Sequence, residues 1–170
     1  ISDLITVDTG IWKVALAFAD AFGPWNVWSA NSRQLSDVPL MGDFDGDGLA
    51  DAAWYGTGTW HFAHSCGNGC FYENATIQPV TFGTGTPLAG DFNGDGIVDI
   101  GTYNNGSWQV ALGTGTGFTP TSSFTLSGWG GDSTATPPVT GDFNGDGLTD
   151  IALLTKSTGK IDVRFCTGSG

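Results

Sequence analysis

Basic residues are scarce in this chain. Only 5 of its 170 residues are Lys or Arg, against 17 Asp and Glu, so the formal net charge is -12 at pH 7 and the pI is near 4.1. A chain this acidic repels nucleic acid and anionic membrane surfaces, and we expect it to bind neither. No apolar run approaches the ~20 residues of a membrane-spanning helix, so membrane insertion is not expected.

A helical pattern is also missing. The chain has 28 Gly and 7 Pro but a single Met, and Thr, Ser and aromatic residues are plentiful. Glycine and proline are unfavourable inside helices, whereas short alternating runs between Gly-rich turns are typical of strands. The composition therefore predicts an all-β, turn-dense fold.

Cysteine is rare, with three residues at positions 66, 70 and 166. Gly67, Asn68 and Gly69 separate the first two, and so flexible a segment favours a Cys66–Cys70 disulfide. Two free thiols remain an alternative, and a zinc site is disfavoured because no CxxC pair exists, although two histidines lie nearby. Cys166 is then unpaired within this segment, as expected for a piece of a longer chain.

A repeated decapeptide organises the rest of the chain. Residues 42–51 read GDFDGDGLAD, residues 90–99 read GDFNGDGIVD and residues 141–150 read GDFNGDGLTD, at spacings of 48 and 51 residues. Such spacings match the ~40–50 residues of a four-stranded propeller blade. We therefore expect one propeller segment over 1–170, with blade-like units at 39–86 and 87–137 and partial units at 1–38 and 138–170.

Within a unit, the pattern predicts a strand, the decapeptide loop, two strands joined by a Gly turn, and a fourth strand. Residues 108–112, WQVAL, alternate as a half-buried strand requires. The fourth strand is predicted at 77–82 in one unit and 123–126 in the next. The first unit begins after its own loop and the last lacks its fourth strand, so open strand edges favour self-assembly that completes a propeller.

The acidic residues are concentrated in the decapeptides, which hold ten of the 17. Oxygen-bearing residues recur at every second position, as a hard cation with six to eight oxygen ligands requires, and glycines permit the tight turns. Each loop would supply four side chains and one backbone carbonyl. The sequence therefore predicts three calcium sites, with these ligands: Asp43, Asp45, Asp47, Leu49 and Asp51; Asp91, Asn93, Asp95, Ile97 and Asp99; Asp142, Asn144, Asp146, Leu148 and Asp150.

Three other interpretations of the loops are weaker. An EF-hand is excluded because Trp54, Thr102 and Leu153 stand where its bidentate Glu belongs and no helices flank the loops. Magnesium demands stricter geometry than flexible glycine loops provide. Asx-turns would explain one Asp per turn, but not several carboxylates brought together, which repel one another without a cation.

The decapeptide, the Gly turn, the strand headed by Trp or Ile and the GTGTGF segment at 113–118 together resemble the FG-GAP/VCBS repeats. These are calcium-loop blades of integrin α-chain propellers and of many secreted proteins. The resemblance implies an all-β partial propeller of four-stranded antiparallel blades, calcium in the loops, and a secreted or cell-surface location. It does not imply one activity, because such propellers serve as adhesion heads, lectins and appended domains.

Three tryptophans outside the strand pattern favour carbohydrate recognition: Trp25, Trp28 and Trp129 occupy corresponding loops, although packing between blades is the better explanation for any one of them alone. Carbohydrate or an extracellular protein is therefore the expected ligand. A catalytic interpretation would need His61 and His64 on one face of a strand, with Glu73 or a nearby Asp. No nucleophile motif accompanies them, so we expect no enzyme activity here. A structural propeller domain appended to a secreted enzyme or toxin is the alternative.

Overall fold

The computed structural model of the protein describes residues 4–8, 11–15, 26–29, 37–67, 70–73, 77–122, 124, 129–131 and 137–168. All regular elements in these ranges are β-strands, which confirms the all-β prediction, and none of the described residues forms a helix that could cross a membrane. The strands are β1 Leu4–Asp8, β2 Ile11–Ala15, β3 Asn26–Ser29, β4 Val38–Gly42, β5 Asp51–Gly56, β6 Thr59–Ser65, β7 Phe71–Tyr72, β8 Val80–Thr81, β9 Thr86–Gly90, β10 Asp99–Asn104, β11 Ser107–Gly113, β12 Phe118–Thr121, β13 Val139–Gly141, β14 Asp150–Thr155 and β15 Lys160–Arg164.

The strands form four antiparallel sheets in chain order. The first sheet is β1-β2-β3 and the last is β13-β14-β15. Between them lie a sheet of order β4-β5-β6-β7, with β8 also paired to β6, and a sheet of order β9-β10-β11-β12. Below, these sheets are called blades one to four. Consecutive strands pair with their neighbours, as expected for a meander whose connections are short.

Tight turns at Gly-containing dipeptides fix the register of the central hairpins. Thr57 and Gly58 connect β5 to β6 with φ of 51° and 84°, and Asn105 and Gly106 connect β10 to β11 with φ of 47° and 88°. Positive φ at both central residues defines the type I′ turn, whose twist suits a two-residue hairpin. The Gly turns predicted from the sequence therefore join the strands that they were expected to join.

The fourth strand of blade three was predicted in the wrong place. It is β12 at Phe118–Thr121, paired with β11, and not 123–126, of which the structure describes only Phe124. Pro120 within β12 lowered its apparent strand propensity, but proline is tolerated on an edge strand, where its missing N–H is not needed by a further neighbour. In blade two, β8 falls inside the predicted range 77–82.

Aromatic clusters fill the spaces between successive blades. Phe44, Trp60 and Phe62 form one buried cluster with Ile100 of the next blade, and Phe92, Trp108 and Leu88 form another with Ile151. The Phe that follows the first Asp of each decapeptide is 0% and 1% exposed at positions 44 and 92, but 48% exposed at 143. The difference arises because the described residues place no further blade over Phe143.

A repeated backbone hydrogen bond links neighbouring decapeptide loops. The Val98 N–H donates to the Asp43 carbonyl at 2.8 Å, and the Thr149 N–H donates to the Asp91 carbonyl at 2.8 Å. The glycine that precedes each loop lets the next blade approach: a Cβ on Gly90 would lie 2.7 Å from Thr149 Cβ, whereas on Gly141 its nearest neighbour would be Phe143 at 3.5 Å.

Replacing Gly90 with Ala should therefore destabilise the fold by about 1–3 kcal/mol, the usual cost of overpacking. The matched change Gly141→Ala meets only an ordinary contact and should be nearly neutral. Chemical denaturation of both variants measures the two free energies of unfolding. Equal effects would contradict the close approach of blades three and four.

Candidate metal centres in the acidic loops

The three decapeptides connect the first two strands of blades two, three and four. They share one backbone conformation, because the two glycines of each loop have positive φ: 78° and 87° at Gly46 and Gly48, with values between 80° and 87° in the other two loops. Glycine adopts this region without steric cost. Each loop thus turns tightly enough to gather its alternate side chains on one concave side.

The first Asp of each loop closes this turn. Asp43 accepts hydrogen bonds from the N–H groups of Gly46 at 2.7 Å and Gly48 at 2.8 Å. Asp91 and Asp142 make the same pair of bonds, each at 2.6 and 2.9 Å. The first Asp therefore holds its loop closed. Asx-turns, in which a side-chain oxygen accepts the N–H two residues on, are made by the middle residues: Asp45 accepts the N–H of Asp47, and Asp47 accepts that of Leu49.

The last Asp of each loop is fully buried and joins the loop to the blade. Asp51 accepts the N–H of Phe44 through Oδ2 at 3.1 Å and the N–H of Ser65 through Oδ1 at 2.9 Å. Asp99 does the same with Phe92 and Gly113, and Asp150 with Phe143 and Cys166, at 2.8–2.9 Å. A buried carboxylate therefore ties the loop to the end of the third strand in blades two and three, and to a residue just beyond that strand in blade four.

The middle positions bring further oxygens to the same side. In the first loop, ligand atoms of Asp43, Asp45 and Asp47 lie within 4.8 Å of one another. Asn93 and Asn144 replace Asp45 in the other loops, where their Oδ1 accepts the N–H of Asp95 or Asp146. Such dense oxygen clusters fit a calcium ion, which prefers carboxylate and carbonyl ligands. The ligand roles of Leu49, Ile97 and Leu148 stay predictions.

His64, considered from the sequence in a catalytic role, lies beside the acids of the first loop. His64 is buried, and its Nδ1 lies 2.9 Å from Asp45 Oδ2 and 3.6 Å from Asp51 Oδ2. His61 stacks on Trp54 instead, with ring centroids 5.2 Å apart. The two histidines are three residues apart on β6 and face opposite sides, so the shared face that a catalytic pair requires does not exist.

Cys66 and Cys70 form a disulfide in the structure, with Cα atoms 5.5 Å apart, and the Cys66 N–H donates to the Cys70 carbonyl at 3.1 Å. The bridge closes a short loop directly after β6, two residues beyond His64.

Cys166 is free, and its Sγ lies 2.8 Å from the Phe92 carbonyl oxygen, which ties the last segment of blade four to the second acidic loop.

Trp129 packs within the protein. Its ring stacks on Trp108 at 5.1 Å, its carbonyl accepts the Trp108 Nε1–H at 2.9 Å, and Arg164 lies 5.5 Å from its ring centre. In blade two, Trp60 donates in the same way to the Phe82 carbonyl. Trp129 therefore occupies in blade three the packing position that Phe82 occupies in blade two. Trp25 lies outside the described residues. Trp28 was expected outside the strands but lies in β3, where its side chain is not described. The ligand role of all three tryptophans stays a prediction.

A pocket lies on blade two, on the side of β6 that carries His61. Its volume is about 240 Å³, and the stacked rings of Trp54 and His61 form one wall. Polar Glu73 and Gln78 also line it, beside apolar residues; the full lining is Trp54, His61, Phe62, Glu73, Ile77, Gln78 and Pro79. An aromatic wall beside polar side chains is a general arrangement for binding a small polar ligand.

Comparison with known protein families gives a match to the FG-GAP-like repeat at residues 43–102 and again at 91–153, which together span more than half of the chain. The chain belongs to the FG-GAP-like repeat family. A search of curated proteins gave no significant match.

Two solved structures resemble this FG-GAP-like chain. One is the Tc holotoxin pore of Photorhabdus luminescens, at 19% identity and a TM-score of 0.67 over 99% of this chain and 8% of the toxin chain. The other is a lectin from Agrocybe aegerita that recognises non-reducing terminal N-acetylglucosamine, at 21% identity and a TM-score of 0.66 over 95% of this chain and 48% of the lectin. At these identities the likeness establishes the fold, a partial β-propeller. The chain spans less than half of either structure.

Burial raises the pKa of the last Asp in the first two FG-GAP-like loops. Burial raises the pKa of Asp99 to about 6, although the N–H groups of Gly113 and Phe92 oppose the rise, and nearby Asp95 and Asp91 add to it. Burial likewise raises the pKa of Asp51. By contrast, hydrogen bonds from Gly147 and Gly145 lower the pKa of exposed Asp142.

In the presence of a chelator, we expect the free energy of unfolding to fall as the pH rises from about 4 to about 7. The carboxyl of an unfolded Asp has a pKa of 3.8, whereas the pKa of folded Asp99 is about 6. Between these two pH values the unfolded chain releases a proton that the folded protein keeps, so a rising pH favours the unfolded chain. The gap between the two pKa values corresponds to a loss of about 3 kcal/mol in the free energy of unfolding. Urea denaturation at several pH values measures it, and the variant Asp99→Asn should flatten the slope. A chelated protein whose stability rises across this range would contradict the assignment.

Proposed function

We propose that this chain is a calcium-stabilised, non-catalytic binding module that works outside the cell and recognises carbohydrate. The observation that carries the calcium part is the threefold repetition of one loop geometry, in which the same hydrogen bonds recur around alternating acidic side chains. The Cys66–Cys70 disulfide supports an oxidising, extracellular setting.

Calcium would be held by the three sets of loop residues predicted from the sequence. When bound, the ion would neutralise carboxylates that repel one another and hold each loop rigid. In every loop, one Asp is tied to the loop glycines and another to the blade, so a single ion that engages both would connect the turn to the sheet. The loop-to-loop hydrogen bonds would pass this rigidity to the next blade.

Calcium should therefore raise the melting temperature strongly. One saturated site adds about 2.7 kcal/mol when free calcium is 100 times Kd, and three sites add more. A thermal scan with calcium and with excess chelator measures the shift. Asp95→Ala removes one predicted ligand from an exposed position and should reduce the shift by about a third, with little change in the chelated protein. A melting temperature that a chelator does not move would refute calcium stabilisation.

Carbohydrate binding is proposed at the pocket on blade two. Stacked Trp54 and His61 offer an apolar ring face, and Glu73 and Gln78 offer polar groups that can pair with sugar hydroxyls. A volume of about 240 Å³ is below the ~300–1,000 Å³ typical of drug-sized ligands, which favours a single sugar residue. The structural resemblance to an N-acetylglucosamine lectin supports the same ligand class.

Removing the exposed part of the aromatic wall should weaken sugar binding. We expect His61→Ala to raise Kd for a bound glycan about tenfold or more, equivalent to about 1.4 kcal/mol. Gln109→Ala is the matched control, because Gln109 pairs with Thr102 in blade three as His61 pairs with Trp54 in blade two. A glycan array that includes terminal N-acetylglucosamine identifies the ligand, and calorimetry compares the variants. Equal affinities in both variants would exclude this pocket.

A silent array on calcium-loaded, folded protein would favour the alternative, a structural propeller domain appended to a secreted enzyme or toxin. The observation behind this alternative is the match to 8% of a toxin chain. The exposed apolar side chains of blade four, Ile161 at 65% and Phe165 at 59%, are consistent with a further surface packing there. A mass in solution that is a multiple of 17.6 kDa would show assembly through such surfaces.

A further inference from the structure

The first acidic loop differs from the other two by one side chain. His64 immediately precedes Ser65, whose N–H binds the buried Asp51. In the second loop the corresponding residue is Leu112, before Gly113, and in the third it is Phe165, before Cys166. Of the three loops, all of which lie in the described residues, only the first has an imidazole beside its carboxylates.

The imidazole is buried without hydrogen bonds. His64 is 2% exposed, and neither ring nitrogen has a hydrogen-bond partner of acceptable geometry, even though Nδ1 lies 2.9 Å from Asp45 Oδ2. Buried polar atoms in native proteins are nearly always paired, so two unsatisfied nitrogens indicate a missing partner. Both carboxylates lie near Nδ1, and a cation held between the three groups would give this nitrogen a partner.

The separations fit a small transition-metal ion. Nδ1 lies 2.9 and 3.6 Å from the two carboxylate oxygens, and ligand atoms of all three residues lie within 4.8 Å of one another. In a tetrahedral site with metal–ligand bonds of about 2.0–2.1 Å, neighbouring ligand atoms lie about 3.3–3.4 Å apart. This separation falls between the two observed distances from Nδ1 to the carboxylate oxygens. Imidazole nitrogen is a preferred ligand of zinc, whereas calcium takes oxygen ligands.

We propose that the first loop binds a zinc-class divalent cation through His64 Nδ1, Asp45 Oδ2 and Asp51 Oδ2, and that this cation competes there with calcium. The inference builds on the proposed cation-binding role of the loops, because Asp45 and Asp51 belong to both ligand sets. The second and third loops contain oxygen ligands alone and remain selective for calcium. The chain is thereby a mixed-metal module with one site that responds to zinc.

The test is equilibrium binding of zinc alone, under non-reducing conditions that keep the Cys66–Cys70 disulfide. A Cys166→Ser background removes the free thiol as a competing ligand. The expected result is one zinc per chain, and cobalt bound in its place should give the intense visible absorption of tetrahedral coordination. Zinc should also displace calcium from one loop and leave two calcium ions bound.

Two variants separate ligation from a structural role. His64→Leu copies the second loop, so it should fold and retain calcium-dependent melting. Asp45→Asn copies the amide of the second and third loops and should fold. Each should weaken zinc binding at least about tenfold and abolish the tetrahedral cobalt spectrum, whereas His61→Ala should leave both unchanged. Undetectable zinc binding, or equal binding in His64→Leu, would overturn the proposal. Loss of calcium binding at all three loops with zinc retained would instead refute the proposed function alone.

Discussion

The buried carboxylate at the end of each acidic loop is the contact on which the structure depends. Asp51, Asp99 and Asp150 are fully buried, and each receives one N–H from the Phe of its own loop and one from the end of the third strand of the blade or, for Asp150, from Cys166 just beyond it. Burying a carboxylate is costly unless hydrogen bonds and a nearby positive charge compensate. The fold offers the hydrogen bonds, and a bound cation would provide the charge.

Contacts around this carboxylate also join the blades. Phe44 donates its N–H to the buried Asp51, and its ring packs on Phe62 of its own blade at 5.3 Å and on Phe118 of the next blade at 6.3 Å. The loop carbonyl of Asp43 accepts a hydrogen bond from Val98 in the following loop. Neighbouring loops are thus linked by packed side chains and by backbone.

Much of the fold could be predicted because the decapeptide repeats and its spacing fixes the blade length. Strand alternation and Gly turns located the central hairpins, but β12 was missed because edge strands are short and tolerate proline, which weakens their sequence pattern. The gathering of acidic side chains in each loop could be predicted from their spacing alone. The approach of His64 could not, because it depends on which residue of β6 lies opposite the loop. Trp129 shows the converse: its position resembled a ligand contact, yet its ring packs on Trp108.

A crystal structure from crystals grown in calcium, with anomalous difference maps, shows directly whether each acidic loop binds a calcium ion. We expect a peak in each acidic loop, within bonding distance of the first and the last Asp of that loop. Well-ordered loops without such peaks, with the buried carboxylates held by their backbone hydrogen bonds alone, would contradict this expectation.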